Sequence, residues 1–332
     1  MPQTFERIQV GKRESLSDVI AVVDAKSTPI ITSIKKGSDP ANSLFSWQAD
    51  AYAAPQVGGV PDGSDVSTTE DAAENRRLLS NYTEEFRRLP KVSKRSNLSD
   101  VAGIGLKKEM AKAIIKKQIE LKRDMEAAFS SDNVARADDG TLGYRGHGLG
   151  SWISNTAQTT LPVDVLFRTP STSINSTAMA SLTTAAVNNV MESQFREVGK
   201  ETTYMLVCGT ALKKQFTTMV GYQPAQGSDT AIKRSLRGDE GKWLDNIQIF
   251  TGDFGTYELV LSTFLAWNYA TGANVPQRGY ALDMDMLELR YQQPVKYDPL
   301  PDLGGGPRGV LSAIVGLCVK NPRGLAAFRA TS

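Results

Sequence analysis

The chain has 332 residues, enough for one large domain or two ordinary ones, and its 40% hydrophobic and 22% charged residues are the balance of a globular protein. A formal net charge of +2 argues against a nucleic-acid binder as a whole, and no run reaches the ~18 apolar residues of a membrane span. The first residues, MPQTFERIQVGKRES, lack a secretory apolar core, and Cys208 and Cys318 lie in apolar runs that read as buried thiols, so a soluble protein made in the cytoplasm is expected.

Residues 1–36 read as an arm with one or two anchor points: a short helix over Asp18–Asp24 and a Pro-bounded apolar patch, Ile30–Ile34. From Gly37 to Asn75 there are seven acidic residues and no Lys or Arg. Inside that span, LFSWQADAYAAP alternates polar with apolar, the period of a half-buried strand, and PQVGGVPDGSD supplies a Gly/Pro tip. A basic, strand-like return follows in RRLLSNYTEEFRRLPKVSKRSNL. A strand out at 44–52 and one back near 78–90 make an extended two-stranded loop, and loops this long are functional or pinned by a partner.

The strongest helix signal comes next, with Ser99 or Asp100 as N-cap and GLKKEMAKAIIKKQIELKRDMEAAFSS as its body. Leu106, Met110, Ile114, Leu121, Met125 and Ala128 fall on one face of a helix of about 25 residues, ~38 Å long. Lys116–Glu120 and Lys122–Glu126 are spaced for pairing across one turn. Residues 131–168 are loop-rich. Residues 169–284 look like a compact α/β unit: a helix over Thr177–Val198, a buried strand TYMLVCG, a helix over Ala211–Met219, and a polar loop over Tyr222–Asp239. A hairpin turning at DFG and a lone strand in ALDMDMLELRYQ follow. GVLSAIVGLCVKNPRGLAAFRA reads as a strand pair or bent strand returning to the core.

Catalytic patterns do not survive inspection. The one histidine, His147, sits in a Gly-rich loop without GxSxG, and reads as a loop or interface residue. No Cys/His spacing fits zinc, GHGLG lacks the strand and helix of a dinucleotide fingerprint, VGKET lacks Walker spacing, and SIKK lacks its companion motifs. No enzyme activity, cofactor or metal is expected. Charge placement stands out instead. Residues 37–75 carry a net −7, while residues 76–123 hold 14 Lys/Arg against five Asp/Glu, a net +9. Such runs are ordinarily solvated faces. Adjacent blocks of opposite sign can also set register between copies, one copy's acidic loop lying on the next copy's basic helix. The candidate contact residues are Phe45, Trp47, Asp50, Tyr52, Asp62, Asp65, Arg87, Arg88, Lys108, Lys112 and Lys116. On this reading Trp47→Ala leaves the subunit folded and lowers assembly.

Taken in order, these elements resemble a major capsid protein of the HK97-like fold, and more narrowly the tailed-phage capsid family typified by phage SU10. The residues that carry this are STPIITSI, FSWQAD, KKEMAKAIIKKQIELKRDMEAAF, GLGSWIS and DFGTYELVLS, spread over nearly the whole chain. Cys208 before Gly209 departs from the family's usual small residue.

The resemblance implies an α+β fold with an N-terminal arm (1–36), an extended E-loop hairpin (37–90), a peripheral domain with a long spine helix (91–168 and 286–332) and an axial α/β domain (169–285). Lys233, Arg234 and Arg237 would lie on an axial loop near the fivefold and sixfold centres. The implied function is self-assembly, as pentamers and hexamers, into the icosahedral or prolate head shell around a tailed phage's double-stranded DNA, with assembly in the host cytoplasm. Implied partners are further copies, a portal, scaffolding or decoration proteins, and DNA held without sequence reading; no membrane is implied. Some relatives weld their shells through an E-loop Lys, but none lies between Lys36 and Lys91, so no such crosslink is expected. The alternatives are an encapsulin-like nanocompartment shell on the same fold, or an enzyme built on the α/β middle region.

Overall fold

A computed structural model describes residues 27–53, 55, 58–59, 62–63, 75–100, 104–224, 231–233, 236–237, 243–244, 248–265 and 275–329, with backbone alone from 220 to 244. The helix expected over Asp18–Asp24 lies outside the described residues. In chain order the first elements are α1 (Pro29–Ser33), β1 (Lys35–Lys36), β2 (Leu44–Ala49), β3 (Arg77–Tyr82), β4 (Glu84–Arg88), α2 (Lys94–Leu98), α3 (Glu109–Phe129) and α4 (Leu149–Trp152). They are followed by β5 (Ile174–Asn175), α5 (Thr184–Val198), β6 (Thr202–Cys208), α6 (Thr210–Gly221), β7 (Tyr222–Pro224), β8 (Ala231–Lys233), β9 (Leu236–Arg237) and β10 (Trp243–Leu244). The last are β11 (Ile249–Gly252), β12 (Gly255–Leu261), β13 (Arg278–Leu282), β14 (Leu287–Leu300), β15 (Arg308–Val319) and β16 (Ala326–Arg329).

Among the described residues, the two largest sheets are β11-β12-β6-β13-β16-β5 and β1-β14-β15-β4. Two of the chain's changes of sheet correct the sequence reading. The expected lone strand of ALDMDMLELRYQ is broken by a short 3-10 turn, Met284–Met286, whose preceding Asp283 takes the Asp285 N–H. β13 therefore joins one sheet and β14 the other. Likewise β15 and β16 lie in different sheets rather than pairing together, because the turn Pro322–Gly324, capped by Asn321, redirects the chain.

The chain divides into two compact units. The larger comprises Ser27–Phe86, Lys122–Lys296 and Ser312–Ser332. Its core joins the six-stranded sheet to α5 and α6: Val187, Val190 and Met191, then Leu212 and Phe216, meet Tyr204, Leu206, Tyr257, Leu259 and Phe328. Phe216 packs edge-on against Phe250 and Phe328, the tilted geometry that aromatic quadrupoles prefer. α5 starts later than Thr177 because Thr183 supplies its cap, accepting the Ala186 N–H, and it stops at Gly199, whose φ of 74° suits the left-handed cap. Cys208 and Cys318 are free and buried, and burial pushes their thiols up to about 11 and about 12.

The smaller unit comprises Arg87–Leu121 and Tyr297–Leu311. Here the long helix begins later than expected. Gly105 and Lys107 are in the left-handed region, at φ 82° and 59°, so helical hydrogen bonding cannot run through them. Ser99 ends α2 instead of starting α3, and the Asn97 side chain accepts the Met110 N–H at 3.2 Å. The helix is 21 residues long, about 32 Å. Leu89, Leu98, Leu106, Ile115 and Leu303 are exposed on this unit.

Candidate functional site

The hairpin of β2 and β3 is the first part of the candidate surface. Its register sets Phe45 opposite Asn81, Trp47 opposite Leu79 and Ala49 opposite Arg77. β2 alternates strictly, with Phe45, Trp47 and Ala49 inward and Leu44, Ser46 and Gln48 outward. The period read from LFSWQA is therefore real, but the occupant of its inner face is not a neighbouring copy. Phe45 and Trp47 are 6% and 9% exposed within their own chain. Their rings stack at 5.7 Å, and Trp47 meets Trp152 of α4 at 5.5 Å. The Arg290 guanidinium lies over both rings, 5.6 Å from Phe45 and 5.8 Å from Trp47, a cation–π arrangement. Gly316 of β15 leaves room for the Phe45 ring, which a side chain there would strike. Phe45 and Trp47 are thus core residues of their own subunit, and Trp47→Ala is expected to damage folding as well as assembly.

Sequence reasoning passed over the residue that ties this hairpin down. Asn81 is fully buried. Its amide donates to the Leu317 carbonyl at 2.7 Å, and its oxygen accepts the His147 N–H at 2.8 Å and the Tyr82 N–H at 2.9 Å. β3 reads RLLSNY, half polar, so a polar residue on its inward face does not stand out in the sequence. His147 is buried beside it. Its Nδ1 accepts the Ala135 N–H at 3.0 Å, which assigns the proton to Nε2, and Nε2 faces the Leu161 carbonyl at 3.2 Å. Burial pushes the imidazole down to about 4, so it is neutral and serves as a structural bridge, not a surface contact. The return strand also splits at Thr83, β3 pairing with β2 while β4 enters the four-stranded sheet.

Of the remaining candidates in the loop, Tyr52 is fully exposed, Asp62 is exposed, and Asp50 faces Arg76 at 3.6 Å. Asp65 lies outside the described residues. On the basic side, Arg87 is exposed, and Arg88 reaches Glu120 at 3.8 Å. Glu120 also pairs with Lys117 at 2.6 Å, not with Lys116. Lys108 and Lys116 are exposed and Lys112 is half-buried. Glu126 is buried and holds main-chain N–H groups rather than Lys122. Lys233 and Arg237 lie on β8 and β9, and Arg234 is outside the described residues. Among the described residues, no group of three or more His, Cys, Asp and Glu is placed to hold a metal ion. No helix among them is long and apolar enough to cross a membrane.

The family model described as SU10 major capsid protein matches residues 2–332. No curated protein matches the chain. Among solved structures, the cyanophage A-1(L) capsid asymmetric unit superposes with TM-score 0.62 at 14% identity, covering 96% of each chain. A chain from Mycobacterium phage Bobi gives 0.59 at 8% identity, covering 97% of this chain and 96% of that one. The capsid of a native GTA particle gives 0.60 at 14% identity, covering 98% and 97%. These low identities carry the α+β, HK97-like fold, and the family match carries the function. The chain belongs to the SU10 major capsid protein family, whose copies form the capsid shell of a tailed phage virion.

Proposed function

We propose that copies of this chain close into an icosahedral or prolate head shell around double-stranded DNA, each laying its acidic loop on the basic helix face of a neighbour. The observation that carries the docking is the pairing of a net −7 over residues 37–75 with a net +9 over residues 76–123. Exposed Lys108 and Lys116, half-buried Lys112, and the exposed Tyr52 and Asp62 on the loop support it. Within this reading, residues 1–36 are the arm, 37–90 the E-loop, 91–168 with 286–332 the peripheral domain, and 169–285 the axial domain. Lys233, Arg234 and Arg237 belong to a loop at the capsomer centres. The shell acts without catalysis, is built in the host cytoplasm, and works with a portal and a separate scaffolding or decoration protein. DNA meets its wall only through salt-sensitive phosphate attraction. The family match favours this reading over a nanocompartment shell.

Reversing Lys108, Lys112 and Lys116 to Glu together is expected to abolish closed shells while leaving the subunit's circular dichroism unchanged. Sedimentation velocity and negative-stain microscopy read the outcome, and shells at wild-type yield would sink the docking. Raising salt from about 0.05 to about 0.5 M should weaken wild-type association, because the Debye length shrinks several-fold. Shells boiled in detergent are expected to run as a single monomer band. A ladder of covalent oligomers would contradict the expected lack of a welding lysine.

A further inference from the structure

The loop between Arg136 and Arg145, in the larger unit, is exposed yet closely held. At its root the two arginines face each other across a main-chain bridge, each N–H donating to the other's carbonyl at 2.9 and 3.0 Å. The Arg136 side chain donates to the Gly143 carbonyl at 3.2 Å, and that of Arg145 to the Val134 carbonyl at 3.0 Å. Both arginines also face Glu84, so their charge is answered at the root. Farther out, Asp138 accepts the Gly140 N–H at 2.7 Å, and Asp139 accepts those of Thr141 and Leu142 at 2.9 and 2.7 Å. The Tyr144 ring rests on Tyr82 at 5.3 Å. Fixing a surface loop in this way costs conformational entropy. Its own subunit gains little cover in return, because residues 137–144 are all exposed and Leu142 is 48% exposed. The exposed stretch carries two carboxylates and no Lys or Arg.

The smaller unit carries a surface of the opposite kind. Residues 87–121 hold ten Lys/Arg against three Asp/Glu, and residues 297–311 add one Arg and two Asp. On α2, Lys94 and Arg95 precede Leu98 by one turn, so all three share a side of the helix, and all are exposed. The Asn97 side chain takes the Met110 N–H and so ties α2 to the first turn of α3. Between those two ends lie exposed Leu106 and Lys107. Leu98 and Leu106 are 52% and 56% exposed. The nearby acids are exposed Asp100 and Asp302, the latter facing Lys94.

We propose that the 137–144 loop of one copy docks on the Leu98–Leu106 face of a second copy. Leu142 packs against the two leucines, while Asp138 and Asp139 face Lys94, Arg95 and Lys107. Charge complementarity names the occupant: an acidic loop with an apolar tip meets a basic face with apolar centres. The exposed leucines favour a protein over a nucleic acid, since phosphates gain nothing from them. The contact is small and gains strength by repetition among many copies. It uses residues other than those of the acidic-loop docking and does not rest on it.

Disulfide trapping between two full-length variants tests this without requiring that shells form. One copy carries Leu142→Cys and the other Leu98→Cys or Leu106→Cys, with copper phenanthroline as oxidant and mass spectrometry to identify the mixed dimer. Native Cys208 and Cys318 are buried, which keeps them out of the exchange. The control partner is Thr218→Cys, exposed one turn from Lys214 and on a different element. At low salt, one or both leucine-site partners should trap about tenfold faster than the control. Raising salt from about 0.05 to about 0.5 M should cut that excess several-fold. Asp138→Asn with Asp139→Asn keeps the side-chain oxygens that hold the loop but removes its charge, and should cut it likewise. Lys112→Glu with Lys116→Glu, which strikes the acidic-loop docking, should leave the trapping in place, so the two contacts fail separately. Trapping no faster than the Thr218 control at both leucine sites, or an excess indifferent to salt and to the Asn substitutions, overturns the proposal.

Discussion

Trp47→Ala is expected to unfold the root of the extended hairpin, at a cost of about 3–5 kcal/mol. The truncation removes the ring that stacks on Phe45 and touches Trp152, and it uncovers the Arg290 guanidinium. Arg290 also reaches Glu288 at 3.5 Å and lies over the Phe45 ring at 5.6 Å, so losing the Trp47 ring removes one of its two aromatic faces. Trp47→Phe keeps an aromatic face under Arg290 and should cost less than about 3 kcal/mol. Thermal melts of the unassembled subunit, with limited trypsin digestion around Arg76 and Arg77, separate the two variants. If Trp47→Ala melted like wild type and failed only in assembly, the burial of this face within its own subunit would be refuted.

Asn81→Ala is the second large effect. It strips partners from the Leu317 carbonyl and from the His147 and Tyr82 N–H groups, two of them deep in the larger unit. Each unsatisfied buried group costs about 1–3 kcal/mol, so about 3–5 kcal/mol is expected in sum. Asn81→Asp gives a sharper test. It keeps the acceptor, loses the donor to Leu317 and buries a charge. It should be worse than wild type at neutral pH and recover in acid, where the protonated carboxyl again donates. Recovery in acid by the alanine variant as well would show that the deficit has another source.

Much of the fold was legible because its signals are periodic. β2 follows its alternation residue by residue, and the DFG turn joins β11 to β12 as its sequence implied. The apolar patch Ile30–Ile34 is an anchor, with Ile30 wholly buried. What escaped was decided by partners distant in sequence. Alternation shows that Trp47 faces inward but not whether a neighbour or Trp152 covers it. Charge spacing paired Glu126 with Lys122, whereas an arm almost a hundred residues earlier took both oxygens. The helix start was misplaced because two left-handed residues, one of them Lys107, are invisible to pattern. The charge blocks were legible from composition alone, while the seat of the buried aromatics required the fold.

The strict in-and-out order of β2 also constrains how this hairpin can change length. Inserting a single residue between Leu44 and Ala49 would turn Phe45 or Trp47 to the outside and bring Ser46 or Gln48 under Arg290. Two residues, one added to each face in turn, would preserve the pattern. Natural variation and peptide grafts should therefore enter these paired strands only in even steps.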